Sequence, residues 1–468
     1  MSTILNPSPA NTTLSPTDSP FVYRAGQLMC EDVAVAAVAA AVDTPVYVYS
    51  RADLERRARA FLGAANEAAG PGALVCYAVK ANGNPALLAL LQAAGLGADV
   101  TSGGELFLAR HAGVDPARII FSGVGKKAGE IEEALTAGIR ALHVESEMEL
   151  AAVAAVAERL ERVAPVGVRV NPNISAATHP YISTGLHGHK FGVPRDRAVA
   201  MLRAAASHPW LRPVGLAAHI GSQITDLDPF AQAVGFLVAL ADEMGREGVR
   251  LEYIDAGGGL GIDYQGGAPA AADWVRTIGP LVAAAGYGLV VEPGRSIVGR
   301  AGALLTRVVY TKQQGEKRFV IVDAGMTDLI RPTLYQAYHP IVPVQENGSR
   351  KDAQPQGPGS RFQGKADFPG TWNLEPGTFS SLVSGHENLE VVDIVGPICE
   401  TSDFLARERS LPPLAAGDLL AVLHAGAYGY AMSSNYNGHL RPAEVLVEGD
   451  TFRVIRRRQS YNDLIAGT

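Results

Sequence analysis

The chain has 468 residues, a formal net charge of −7, and 47% hydrophobic against 19% charged residues, a balance that suits a globular protein with a large core. Its one basic cluster, the arginines at 456–458, is short and strand-like, which excludes a basic nucleic-acid binder. Three cysteines (Cys30, Cys76 and Cys399) are too few and too odd in number for a disulfide framework, and no apolar run reaches membrane-spanning length, so a cytoplasmic protein is expected.

Residues 1–20 are rich in Ser, Thr, Pro and Asn and lack the basic and apolar regions of a secretory signal; they are expected to form a disordered leader. Residues 21–49 end in the alternating Val46 to Tyr49 run, a strand assigned to the same β domain as the C-terminal part of the chain. From about 50 to 300, apolar runs at 74–79, 98–101, 118–121, 141–144, 166–170, 214–219, 251–255 and 289–292 alternate with helical stretches such as 53–69, 85–94, 104–112, 147–162 and 195–206. Alternating strand and helix implies parallel strands with right-handed crossovers, and eight such units imply a closed (β/α)8 TIM-type barrel. Residues 301–468 change texture: short runs at 304–310, 318–323, 389–395, 419–423, 444–448 and 451–455 read as antiparallel strands of an all-β barrel or sandwich domain. The expected architecture is α/β plus all-β, with the barrel inserted into the β domain. Residues 345–387 are rich in Gly, Pro, Gln, Ser and Asn without periodicity and are expected to be a mobile insertion.

In such a barrel the carboxyl ends of the strands carry the chemistry. Lys80 follows the first run; Asp99 and Ser102 close the second; Asn171 ends the fifth; His219, Gly221, Ser222 and Gln223 end the sixth; Asp255 and Gly257 to Gly259 end the seventh; Glu292, Gly294 and Arg295 end the eighth. Singly, each has a plain structural reading. Lys80 suits a surface lysine, His219 a core histidine, the glycines a tight turn, and Glu292 with Arg295 a turn with an ion pair. Together they supply a lysine flanked by apolar residues, where burial is expected to depress the amine, a backbone cradle for a phosphate, and an acid for a ring nitrogen. That set is what pyridoxal phosphate requires.

Nine motifs then identify a family. They are Tyr77-Ala-Val-Lys80-Ala-Asn82, Asp99-Val-Thr-Ser-Gly-Gly-Glu105-Leu, His189-Lys-Phe-Gly192, His219-Ile-Gly-Ser-Gln223, Gly257-Gly-Gly-Leu-Gly261, Glu292-Pro-Gly-Arg295, Arg331-Pro-Thr-Leu-Tyr335, Gly396-Pro-Ile-Cys-Glu400 and Tyr428. In this order, across about 47–462, the chain resembles the diaminopimelate decarboxylase family, alanine-racemase-like (fold type III) pyridoxal-phosphate enzymes. The resemblance implies that Lys80 carries the cofactor and His219 stacks on its ring. It places Glu292 at the ring nitrogen, with Ser222, Gly258, Gly259, Gly294, Arg295 and Tyr428 around the phosphate and ring. It also implies that Arg295, Arg331, Tyr335 and Tyr428 meet the substrate, that Glu400 reads its distal ammonium, and that Cys399 is a proton donor reaching in from the partner subunit of a homodimer. The reaction implied is meso-2,6-diaminopimelate to L-lysine and CO2, the last step of lysine biosynthesis. No metal is called for.

Three alternatives are weighed against this. An ornithine- or arginine-type decarboxylase of the same fold would have no use for Arg331 beside Glu400, because a buried guanidinium without a partner is costly. The resemblance makes a racemase unlike this chain, since racemases of the fold place an arginine where Glu292 stands. A non-catalytic regulatory relative would be expected to lack Lys80 or Cys399, and both are present. Cys399 as a small buried hydrophobe, and Arg331 paired with Asp328, are the plain structural readings of those two residues. The stretch at 345–387 is longer than the family's usual connection and is read as an inert elaboration rather than a lid.

Overall fold

The computed structural model describes residues 19–174, 190–264, 267–346 and 389–468. The expected leader, residues 19 and 20 apart, and all but two residues of the expected insertion lie outside the described residues, as does His189.

Eight parallel strands close into a barrel: Leu74–Ala78, Gly97–Val100, Ile119–Phe121, Ala141–Val144, Ala164–Arg169, Leu211–Ala217, Tyr253–Asp255 and Gly288–Val291. Each pairs with its neighbours in chain order, and the ring closes where Val290 and Val291 meet Leu74 and Val75. Leu74–Ala78 and Gly97–Val100 are buried at every position, as strands covered on both faces must be. Helices start at local side-chain caps: Ser50 accepts from the Asp53 N–H, Asn84 from Ala86, Ser102 from Glu105 and Ser146 from Glu149. Ser102 is thus a capping residue as well as a rim residue. Inside the barrel, glycines make room for large side chains. A Cβ on Gly215 would lie 2.4 Å from the Tyr253 ring, and one on Gly167 would lie 2.5 Å from His143.

The second domain is built on a nine-stranded sheet. Its order is Phe404–Leu411, Glu390–Val395, Lys317–Val322, Gly302–Gln314, Val46–Ser50, Ala443–Glu448 and Thr451–Arg456; Leu419–Val422 pairs with Gly302–Gln314, and Ile341–Pro343 with Leu419–Val422. The sheet is mixed: Val46–Ser50 runs parallel to Ala443–Glu448, and Lys317–Val322 parallel to Glu390–Val395. The strand entering the barrel and the strand leaving it are partners, with Tyr49 opposite Gly302. A small sheet of Phe21–Arg24, Gln27–Cys30 and Val33–Ala34 covers part of this domain's core. No helix among the described residues is long and apolar enough to cross a membrane.

The domains are tied together at the Lys80 turn. Val79–Ala81 leaves the first barrel strand as a 3-10 turn, and the Tyr428 N–H donates to the Ala81 carbonyl at 2.8 Å. Beneath it lies the fully buried Glu444 carboxylate. It accepts from Asn84 Nδ2 (2.7 Å), the Tyr49 hydroxyl (2.8 Å), Arg456 Nε (2.6 Å) and, at longer range, Asn82 Nδ2 (3.4 Å). Removing that acceptor strands several buried donors at once. Glu444→Ala is therefore expected to lower the unfolding free energy by about 3 kcal/mol in a urea titration, against about 1 kcal/mol for Tyr49→Phe, which leaves the carboxylate its other partners.

Candidate active site

The first barrel strand ends by turning Lys80 into a cavity of about 640 Å³ at the carboxyl rim. Its Nζ lies 2.7 Å from Asp99 Oδ2, at the end of the neighbouring strand, and 33% of its side chain stays open to the cavity. The expectation of a depressed amine is overturned here. Burial does pull the Lys80 ammonium down, but the charges of Asp99 and Glu292 outweigh it and hold the amine protonated above its ordinary range. Asp99, noted in the sequence only as a strand-end acid, is the residue responsible.

Glu292 ends the eighth strand and Asp255 the seventh. Their carboxylates and the His143 ring present donor atoms within 4.8 Å of one another, all buried. Burial first, and then the charge of the facing acid, raises Glu292; burial and the Asp99 charge raise Asp255. His143 is held neutral, its pKa lowered to about 3 by burial and by Lys126 and Arg169, and its Nε2 meets the Tyr253 hydroxyl at 2.9 Å. The acids at this end of the cavity therefore hold their protons more tightly than exposed carboxyls, and a cationic ring nitrogen placed against them would favour their ionised form.

The other end is positive. Gly257 and Gly259 take φ of 67° and 104°, open to glycine and strained for other residues. A Cβ on Gly258 would lie 2.2 Å from the Glu292 carbonyl oxygen, and one on Gly259 would lie 2.2 Å from that of Gly221. The Gly258 N–H donates to His219 Nδ1 at 3.1 Å, which fixes the imidazole tautomer, and burial keeps that ring neutral. A Cβ on Gly294 would lie 3.0 Å from that of Ala78 and 3.1 Å from that of Ala81, so the turn that leads into Arg295 sits close against the Lys80 turn. Arg295 donates to the Ser222 hydroxyl at 2.9 Å and lies 4.8 Å over the Tyr428 ring. Both Arg295 and Arg331 are buried, each has an Nε without a hydrogen-bond partner, and neither has an acidic partner among the described residues. A glycine turn, a hydroxyl and two unneutralised guanidiniums fit an anion, a phosphate or a carboxylate. With the lysine and the buried acids opposite, the residues fit pyridoxal phosphate.

Lys80, His219, Ser222, Glu292, Arg295, Arg331, Tyr335 and Tyr428 line this one cavity. Gly258, Gly259 and Gly294 form the turns around it. Arg331 does not pair with Asp328, whose carboxylate instead accepts from the Gly325 N–H at 2.9 Å. Cys399 and Glu400 are not brought to the cavity of their own chain: they lie on an exposed turn after Glu390–Val395. There the Cys399 N–H donates to Asn437 Oδ1 at 3.0 Å and the Tyr436 hydroxyl to Glu400 at 2.6 Å. The exposure of Cys399 rules out the buried-hydrophobe reading. Tyr264 and His339, which hold the two guanidiniums, were not singled out in the sequence. Nothing in a lone tyrosine or histidine outside the strand ends marks it there; Asp99, Asp255 and His143 carried the usable signal of position at or near a strand's carboxyl end.

The fold and the facing lysine and acid define a pyridoxal-dependent decarboxylase of the barrel type. Residues 51–299 match the family model described as pyridoxal-dependent decarboxylase, pyridoxal binding domain. The chain is 45% identical over 448 residues to a Pseudomonas aeruginosa diaminopimelate decarboxylase, covering 96% of this chain and 98% of that one. It is 42% identical over 445 residues to the Aquifex aeolicus diaminopimelate decarboxylase, covering 95% and 96%. The crystal structure of the Helicobacter pylori diaminopimelate decarboxylase complexed with L-lysine superposes with a TM-score of 0.80 at 37% identity, covering 92% of this chain and 98% of that chain. The chain belongs to the diaminopimelate decarboxylase family.

The buried acids set a pH dependence for the cofactor-free protein. Because Glu292 and Asp255 are raised above their unfolded values, their contribution to stability is present in full below about pH 4 and is lost as pH rises through the folded values. The melting temperature of the apoprotein is expected to fall from about pH 5 to pH 8, and Glu292→Gln, which relieves the facing pair, to flatten that slope in calorimetric scans.

Proposed function

We propose that the protein decarboxylates meso-2,6-diaminopimelate to L-lysine and CO2, the last step of lysine biosynthesis, with pyridoxal phosphate as cofactor. The observation that carries this reading is the placement of Lys80 and Glu292 on one cavity with two guanidiniums that no acid of the described chain neutralises. Lys80 would hold the aldehyde end of the cofactor, His219 one face of the ring and Glu292 its nitrogen, with Ser222, Gly258, Gly259, Gly294, Arg295 and Tyr428 at the phosphate end. The bound cofactor supplies the sink for the electron pair left when CO2 departs. Asp99 holds the Lys80 amine at 2.7 Å and orients it into the cavity. Glu292, once ionised opposite a cationic nitrogen, holds that nitrogen's proton in place. Arg331 and Tyr335, with Arg295 and Tyr428, bind and orient a substrate carboxylate.

Cys399 and Glu400 complete this assignment from a second copy of the chain. Both are exposed and stand outside their own cavity. In a homodimer Cys399 Sγ delivers the proton to the carbon that has lost CO2, and Glu400 meets the distal ammonium. The cytoplasm suits three unpaired thiols.

The test is CO2 release from meso-diaminopimelate, ornithine, arginine and lysine side by side, with and without added pyridoxal phosphate. Release from diaminopimelate alone is expected, with Arg331→Ala losing about 2–4 kcal/mol in kcat/KM; preferred release from ornithine or arginine, with Arg331→Ala unchanged, would transfer the assignment to the polyamine precursors. The shared site has its own measurement. Lys80→Ala and Cys399→Ala, each inactive, are expected to recover about a quarter of wild-type turnover when refolded together in equal amounts, because half the dimers then hold one intact site. No recovery in a mixture shown to exchange subunits would place Cys399 in the site of its own chain and end the shared-site reading.

A further inference from the structure

Arg331 begins the short helix Arg331–Tyr335 and is buried in the cavity wall. A buried guanidinium is ordinarily matched by a carboxylate, because an uncompensated charge costs several kcal/mol. Here neither hydrogen-bond acceptor is a carboxylate. Arg331 Nη1 meets His339 Nε2 at 2.7 Å and donates to the Tyr264 hydroxyl oxygen at 2.9 Å. His339 is itself fixed: its Nδ1 faces the Leu423 carbonyl at 3.0 Å, so Nδ1 carries the proton and Nε2 offers its lone pair to the arginine. Burial and the adjacent Arg331 charge keep that ring neutral. The two acceptor rings brace each other edge to face at 5.3 Å. Tyr264 also accepts from Arg295 Nη1 at 3.2 Å, so a single phenol oxygen spans both guanidiniums.

We propose that Tyr264 and His339 are positioning residues that hold Arg331 by hydrogen bonds while leaving its charge undischarged, so that the charge is spent on a carboxylate of the substrate. The inference rests on the reading of the cavity given under Proposed function. A phenol oxygen and an imidazole lone pair satisfy geometry without the full countercharge of a carboxylate. An acid in either place would hold the guanidinium as firmly and remove the attraction for an incoming anion. Specificity for a substrate with a carboxylate at each end is thus set behind the arginine as well as by it.

The experiment measures calorimetric binding of pimelate, a seven-carbon dicarboxylate with no amine, to the cofactor-free protein, and kcat and KM for meso-diaminopimelate on the holoenzyme. His339→Glu places an acid against Arg331 and is expected to weaken pimelate binding about a hundredfold; Tyr264→Phe weakens it about tenfold. In both, KM rises with the loss of binding while kcat changes by less than about threefold. His339→Gln, whose amide can accept from Arg331 and donate to Leu423, stays within about threefold of wild type in binding. Equal losses in His339→Glu and His339→Gln would mean a merely structural histidine and overturn the proposal. So would unchanged pimelate binding in Tyr264→Phe, an isosteric variant that decides the matter alone if His339→Glu does not fold. Arg331→Ala separates the two levels. If it weakens pimelate and the Tyr264 and His339 variants do not, the positioning role fails and the cavity reading stands; if it leaves pimelate binding intact, the cavity reading fails with it.

Discussion

The site depends on a separation of charge that the protein leaves unresolved. At one end of the cavity three buried acids, Asp99, Asp255 and Glu292, surround a single ammonium on Lys80. At the other, Arg295 and Arg331 are buried against a phenol, a serine hydroxyl and a neutral imidazole. Pairing the two ends directly would discharge both. The barrel prevents it by mounting the acids at the ends of the second, seventh and eighth strands and the arginines on the segments that follow the eighth. A ligand that is cationic at one end and anionic at the other meets acids that can ionise at the first and guanidiniums without carboxylate partners at the second, which makes binding and the reading of polarity one event.

Rigid support gives that arrangement its precision. The Lys80 turn is gripped from the second domain through the Tyr428 N–H on Ala81 and through Glu444 on Asn84 and Asn82. Gly258 and Gly259 allow backbone to approach where any side chain would collide. Tyr428 accepts a left-handed backbone, φ 56°, to place its ring under Arg295. The β domain is therefore part of the site although the barrel holds most of the reactive groups, which explains why residues on both sides of position 300 line one cavity.

All eight barrel strands were legible because each is an apolar run bounded by helical periodicity, with ends displaced by a few residues; Val79 and Lys80, for example, leave the strand so that the amine can turn inward. Rim position exposed Lys80, His219, Glu292 and Arg295, because polar residues at the carboxyl ends of apolar strands stand out. The strand Phe404–Leu411 did not show itself: its charged Arg407, Glu408 and Arg409 interrupt the alternation at an edge of the sheet. The parallel pairings of Val46–Ser50 and Lys317–Val322 were equally hidden, since strand direction is set by partners far away in sequence. The protonation of Lys80 was misjudged from its apolar neighbours alone; the counter-charges come from other strands. Tyr264 and His339 left no local trace, because their meaning comes only from the arginine they meet.

The sheet hub has a consequence for how the protein is made. Val46–Ser50 is translated before any of its neighbours, yet its two flanking partners, Gly302–Gln314 and Ala443–Glu448, emerge only after the whole barrel and close to the end of synthesis. On the ribosome this strand, buried at every position in the finished fold, waits as an unpaired edge while eight strand–helix units assemble locally behind it. Glu444 arrives on the later of these two partners. The lysine rim is thus locked late, after the barrel has closed, and a prematurely terminated chain carries a finished barrel beside an open, sticky strand that quality control can recognise.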